Sequence, residues 1–144
     1  MIYFDTSYML KCYLPEQGYA NVRTIFDQHG CAACCSFGRL EFVSGLRRAA
    51  REGRLPQPAI ATALTILDLD ERAGRWVWFP LTSRLLETAE RVVHELPLSV
   101  AIRAADALHL VCARDNGCQQ LFTNDRHMLA AAPHFGISAV NVIQ

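Results

Sequence analysis

Met1-Ile2-Tyr3-Phe4-Asp5-Thr6-Ser7 opens the chain: four apolar residues stop at a carboxylate followed by two hydroxyls. Such a run, bounded by a polar break, reads as a short buried strand with Asp5 at its carboxyl end. From there, helical and strand-like segments alternate. Helices are expected from about Ser7 to Leu14, stopped by Pro15, and from Tyr19 to Gln28, closed by Gly30. Cys31 to Cys35 is small, apolar and short, the pattern of a second buried strand. Ser36 is placed to cap a long helix through Arg51, ended by Gly53. Ala59 to Gly74 reads as a helix, Trp76 to Leu81 as a strand, and Thr82 or Ser83 caps a helix to Leu96. Another helix is expected from Ser99 to Asp115, closed by Asn116-Gly117. Gln119 to Thr123, Asp125 to Ala132 and Ile137 to Val142 then read as strand, helix and strand.

Short strands alternating with helices predict an α/β fold: a three-layer α/β/α sandwich around a central, mainly parallel sheet. At 144 residues, with no repeat or low-complexity segment, the chain is expected to be one domain over 1–144. Parallel sheets of this kind bind ligands beyond the carboxyl ends of their strands. Asp5 and Asp125 both fall there, after the first and fourth strands.

Composition narrows the function classes. Hydrophobic residues make up 51% and charged ones 19%, a globular balance. Fourteen cations balance fourteen acids, so a nucleic-acid partner can be argued only from local clusters. Lys11 is the only lysine; arginine supplies the rest, and it suits bidentate contact with phosphate or carboxylate. The apolar stretch from Leu55 to Leu67 contains two prolines and is too short to span a bilayer. Asp5 interrupts any basic-then-apolar leader pattern, so a cytoplasmic protein is expected. The six cysteines, with no matched pair of metal-spaced motifs, read as small core residues.

Four acids stand apart from the rest. Asp5 ends an apolar run, Glu41 lies within Leu40-Glu41-Phe42-Val43, Asp106 within Ala104-Ala105-Asp106-Ala107-Leu108, and Asp125 follows Leu121-Phe122-Thr123-Asn124. Asp68 and Arg72, Glu71 and Arg75, and Glu87 and Arg91 have the spacing of helical ion pairs. None of the four has a cation four residues away, and only Asp106 has one three away, Arg103. Carboxylates embedded in apolar sequence are costly unless a cation meets them. Each alone also has a plain reading as a cap or turn residue, Asp125 above all. Together they predict an acidic pocket that takes a hard divalent ion.

Tyr3-Phe4-Asp5-Thr6-Ser7, Leu40-Glu41-Phe42, Arg103-Ala104-Ala105-Asp106-Ala107-Leu108-His109-Leu110 and Leu121-Phe122-Thr123-Asn124-Asp125-Arg126 resemble, in order, the motifs of PIN-domain ribonucleases. The VapC-type toxins of toxin–antitoxin pairs are the nearest likeness, over essentially the whole chain. The resemblance implies a metal-dependent endoribonuclease with Mg²⁺ or Mn²⁺ held by Asp5, Asp106 and Asp125, and by Glu41 directly or through water. It also implies a homodimer and a small antitoxin whose tail packs over the first helices. Met9, Leu10, Cys12 and Tyr13 are expected to offer that tail an apolar surface.

The ion chemistry fits the donors independently, since hard divalent ions prefer carboxylate oxygen and retain water that can be activated. Thr6, Ser7, Thr123 and Asn124 are candidates to orient carboxylates or water by hydrogen bonds, with strand-end capping the alternative for the threonines. Arg48 lies two turns beyond Glu41 on nearly the same face, with Ser44 and Gly45 between, and is the candidate contact for an RNA phosphate. Arg47, Arg51 and Arg54 form a neighbouring stripe, with a solvated basic face as the alternative. His109 and His127 are expected to be packing or exposed residues, and Trp76 and Trp78 core. The main alternative function is a catalytically idle PIN module acting in binding or dimerisation. A receiver domain or aspartyl phosphatase fits poorly, because no lysine follows a late strand and Ser7 stands where the second phosphatase acid belongs.

Overall fold

The computed structural model describes residues 1–143, so Gln144 of the expected 1–144 domain lies outside the described residues. Ile2–Phe4 (β1), Ala32–Cys35 (β2), Trp76–Phe79 (β3), Gln120–Phe122 (β4) and Ala139–Val140 (β5) form one sheet in the order β3-β2-β1-β4-β5. Each of its pairings is parallel. The helices are Thr6–Lys11 (α1), Tyr19–His29 (α2), Phe37–Arg51 (α3), Pro58–Arg72 (α4), Ser83–Glu95 (α5), Ala104–Asp115 (α6) and Arg126–Ala131 (α7). They flank the sheet, and the expected α/β/α sandwich is what forms.

The central strand β1 is buried on both sides because its three residues are all apolar and alternate between faces. Tyr3 sends its ring edge-on to His109 of α6, with centroids 5.7 Å apart. Phe4 packs against Tyr8, Phe26, Trp76 and Phe122. The chain lays β2 and β3 on one side of β1, then returns to lay β4 and β5 on the other. The order therefore reverses between β1 and β4, the place where an open parallel sheet leaves a crevice at its carboxyl edge. Asp5 stands at that edge, its backbone N–H continuing the ladder to Phe122 O at 3.1 Å.

Several expected boundaries move, each for a local reason. The helix expected from Ser99 begins at Ala104. Val100 and Ile102 instead pack against the core from an irregular segment, and Arg103 is extended (φ −91°, ψ 155°). Starting there puts Asp106 in the first turn of α6, where a carboxylate meets the positive end of the helix dipole. The last strand shrinks from 137–142 to Ala139–Val140, because the Tyr8 hydroxyl accepts Val142 N–H at 2.8 Å and donates to Asn141 at 2.9 Å. Pro133 helps turn the end of α7 into a 3-10 turn, Ala132–Phe135. Ser36 makes no capping bond; its hydroxyl accepts from Leu81 N–H at 3.1 Å and ties α3 to the end of β3. Asp68 and Glu71 do not follow the helical spacing either: both meet Arg39, clasping α4 to α3. Met9 and Cys12, expected to face an antitoxin, are core residues.

Gly38 allows α3 to approach the sheet closely. A Cβ there would lie 2.5 Å from the Cys34 sulfur and 3.5 Å from both His109 Cε1 and Thr6 Oγ1. Gly38→Ala gains helix propensity of about 1 kcal/mol but overpacks a fully buried neighbour at a cost of about 1–3 kcal/mol. A net loss of stability is expected, read as a lower denaturant midpoint. A variant more stable than wild type would show that Cys34 yields without strain.

Candidate active site

The four singled-out acids come from four different elements and line one open pocket of about 950 Å³. Asp5 caps α1 and is buried, with 4% of its surface exposed. Its Oδ1 accepts from the Ser7 hydroxyl at 2.6 Å and from Tyr8 N–H at 2.9 Å. Its Oδ2 accepts from the Thr123 hydroxyl at 2.6 Å. All these donors are neutral. Burial raises the Asp5 pKa above the usual carboxylate range, outweighing the hydrogen bonds from Ser7, Thr123 and Tyr8 that lower it. Asp5 is thus a buried carboxyl with no charged hydrogen-bond donor, reached only by the field of His109.

Glu41 is held differently. Its Oε2 accepts from the Thr6 hydroxyl at 2.6 Å and lies 2.8 Å from His109 Nε2. Burial would raise its pKa, but hydrogen bonds from His109 and Thr6, with the field of Arg103, hold it below the usual value. His109 is 2% exposed, and its Nδ1 sits 2.7 Å from the Tyr3 hydroxyl, which in turn accepts from Cys35 N–H at 2.8 Å. Burial pulls the His109 pKa down, while hydrogen bonds and charge from Cys34 and Glu41 raise it above the ordinary imidazole value. Because burial keeps Cys34 itself a neutral thiol, Glu41 is the partner that favours the imidazolium.

Asp106 and Asp125 share a cation. Arg103 Nε donates to Asp106 Oδ2 at 2.7 Å, and its Nη2 donates to Asp125 Oδ2 at 2.9 Å. Asp125 also caps α7, accepting His127 N–H at 2.7 Å and Met128 N–H at 3.1 Å, so its capping role and its place in the pocket coexist. Thr123 links the strand ends, since its hydroxyl oxygen accepts Asp125 N–H at 2.9 Å while the hydroxyl donates to Asp5.

Of the residues expected to orient the acids, Thr6, Ser7 and Thr123 each bond a carboxylate, and Asn124 is exposed on the pocket lining. Arg48 lines the pocket as expected, and Arg47 and Arg51 join it, all three exposed. Arg54 does not; it turns to Glu16 and Glu52. His127 is exposed, and Trp76 is core, stacked on Trp78 with centroids 5.8 Å apart. Two partners were missed in the sequence: His109 as the partner of Glu41, and the reach of Arg103 to Asp125. The available signals were the three-residue offsets of Arg103 and His109 on either side of Asp106, which place all three along one helix face.

Among the described residues, no three His, Cys, Asp or Glu side chains are arranged to hold a metal ion. The chemistry of the donors nevertheless suits a hard divalent cation: oxygen ligands only, one of them buried with no charged hydrogen-bond donor, and two already gathered around a guanidinium.

The PIN-domain family model matches residues 2–133. The chain belongs to the PIN-domain family. Solved structures share its fold at low sequence identity. VapC20 of Mycobacterium tuberculosis, a sarcin–ricin loop cleaving toxin, superposes with a TM-score of 0.72 at 17% identity, over 91% of this chain and 95% of its own. VapBC2 from Rickettsia felis, bound to a DNA fragment from its promoter, gives 0.69 at 17% identity over 98% of each chain. FitAcB from Neisseria gonorrhoeae gives 0.63 at 15% identity, over 98% of this PIN domain and 97% of that chain. No curated protein matches this PIN domain at significant similarity. No helix among its described residues is long and apolar enough to cross a membrane.

Proposed function

We propose that this PIN domain is a metal-dependent endoribonuclease, the toxin of a toxin–antitoxin pair, and that Asp5, Asp106 and Asp125, with Glu41 directly or through water, hold Mg²⁺ or Mn²⁺. The observation that carries this reading is the meeting of four acids from separate elements in one pocket at the switch point of the sheet. A divalent ion bound there would lower the pKa of a water and stabilise negative charge developing on the phosphate. Ser7 and Thr123 fix both oxygens of Asp5, and Thr6 and His109 fix Glu41, so the carboxylates need little reorganisation. Arg47, Arg48 and Arg51 line the same pocket and offer charge to the RNA backbone.

The likeness to VapC-, VapBC- and FitAB-type structures supports a small antitoxin as partner. Leu40, 71% exposed beside Glu41 on the pocket lining, is an apolar foothold for it, in place of Met9 and Cys12. Leu86 and Val93 on α5 and Leu98 after it are exposed and support a homodimer.

The catalytically idle alternative draws on the Arg103 bridge between Asp106 and Asp125, and on the lack of a metal-ready trio of ligands among the described residues. Incubation of total RNA with the protein in Mg²⁺ or Mn²⁺, and in EDTA, separates the two. Discrete fragments are expected with metal and none with chelator. Cleavage that survives EDTA, or no cleavage with either ion at high enzyme concentration, would overturn the nuclease reading.

A further inference from the structure

Among the described residues, all the side-chain hydrogen bonds of Arg103 go to two of the proposed metal ligands. Beyond its 2.7 and 2.9 Å bonds to Asp106 and Asp125, its Nη2 reaches Asp106 Oδ1 at 3.4 Å. The planar guanidinium gathers carboxylates from α6 and from the loop after β4, as a cation between them would, but with a single delocalised charge. Its surroundings differ from theirs. The Arg103 side chain is 73% exposed, against 11% for Asp106 and 24% for Asp125. Its backbone stands one residue outside α6 and its side chain makes no capping bond. Among the described residues, these two carboxylates make its hydrogen bonds, Glu41 adds only its field, and most of the side chain is open to solvent.

We propose that Arg103 is a built-in counterion that holds Asp106 and Asp125 together until a divalent cation displaces it, and so sets how tightly the pocket takes metal. This rests on the metal-site reading above. Two close carboxylates without a cation repel one another and shed that repulsion by protonation or by binding a cation. Arg103 supplies the cation from within the chain, so an incoming ion must first break its two ion pairs. The exposure of the guanidinium keeps that barrier low, because solvent already screens the pairs. Once displaced, the side chain stays tethered at the pocket mouth, where Arg47, Arg48 and Arg51 also stand.

The test is Mn²⁺ binding to the full chain by isothermal titration calorimetry, a readout that needs no RNA and no turnover. Wild type, Arg103→Gln and Arg103→Lys are compared after circular dichroism has shown each to be folded. Arg103→Gln removes the competing charge and is expected to bind Mn²⁺ about three- to tenfold more tightly, the scale of two screened ion pairs. Arg103→Lys keeps a competing charge but loses the planar fork that spans both carboxylates, and is expected to fall between wild type and Arg103→Gln. Wild-type binding with Arg103→Gln no tighter, or weaker, overturns the counterion role and leaves the metal site standing. Absence of Mn²⁺ binding in all three proteins overturns the metal-site reading and this inference with it.

Discussion

Asp5→Asn is expected to abolish RNA cleavage while leaving the protein at least as stable as wild type. The two effects separate because Asp5 is buried among neutral donors only. An asparagine oxygen can still accept from Ser7 and Tyr8 N–H. The Thr123 hydroxyl can rotate to accept from the new amide, since hydroxyls both donate and accept. What is lost is charge. In the folded protein burial raises the Asp5 pKa, so the native state keeps this proton at pH values where the unfolded chain has released it. The stability drawn from Asp5 therefore falls as pH rises through that window, and the neutral amide escapes the loss. On the proposed reading Asp5 is an anionic ligand of a hard cation, and its removal costs several kcal/mol of transition-state stabilisation, a fall of at least about a thousandfold in cleavage rate. A denaturant titration and an RNA cleavage assay on the same preparation check both halves. Cleavage within about tenfold of wild type would falsify the role given to Asp5.

His109→Leu is expected to impair both stability and cleavage. Leucine fills much of the space of the ring but removes two hydrogen-bonding nitrogens from a nearly fully buried position between Tyr3 and Glu41. Leaving buried polar partners unmet costs about 1–3 kcal/mol, visible as a lower denaturant midpoint. Cleavage is expected to fall by about ten- to a hundredfold, the usual effect of removing the partner that orients a ligand. Because His109 is proposed to act through Glu41, the same change made on top of Glu41→Gln is expected to cost little further activity. Losses that multiply fully in the double variant would instead place His109 on an independent route to the reaction.

Much of the candidate site was legible in the chain because its acids sit in incongruous apolar surroundings. Asp5 and Asp125 follow short apolar strands, and a parallel sheet places strand ends together along one edge. Glu41 and Asp106 needed more. Their helices were readable from periodicity, but whether those helices lean over the same edge depends on close packing, such as that allowed at Gly38. The pairing of Arg103 with Asp125 was not readable. It joins residues 22 apart in sequence, and it depends on α6 beginning at Ala104 rather than Ser99. The apolar surface expected at the first helix holds only in part for a related reason: Met9 in α1 and Cys12 at its C-cap pack into the core, while Leu10 and Tyr13 stay half-buried.

By itself, then, the sequence determined the alternation of elements, the parallel sheet and the identity of the unusual acids, because these follow from local periodicity and from the cost of placing charge among apolar neighbours. Only the tertiary structure decided which cation each acid meets: Arg103 for Asp106 and Asp125, His109 for Glu41, and neutral donors alone for Asp5. Those partners are set by distance and burial in the packed state. Of these pairs, only Arg103 with Asp106, three residues apart, leaves a trace in the linear spacing; the reach of Arg103 to Asp125 and of His109 to Glu41 does not.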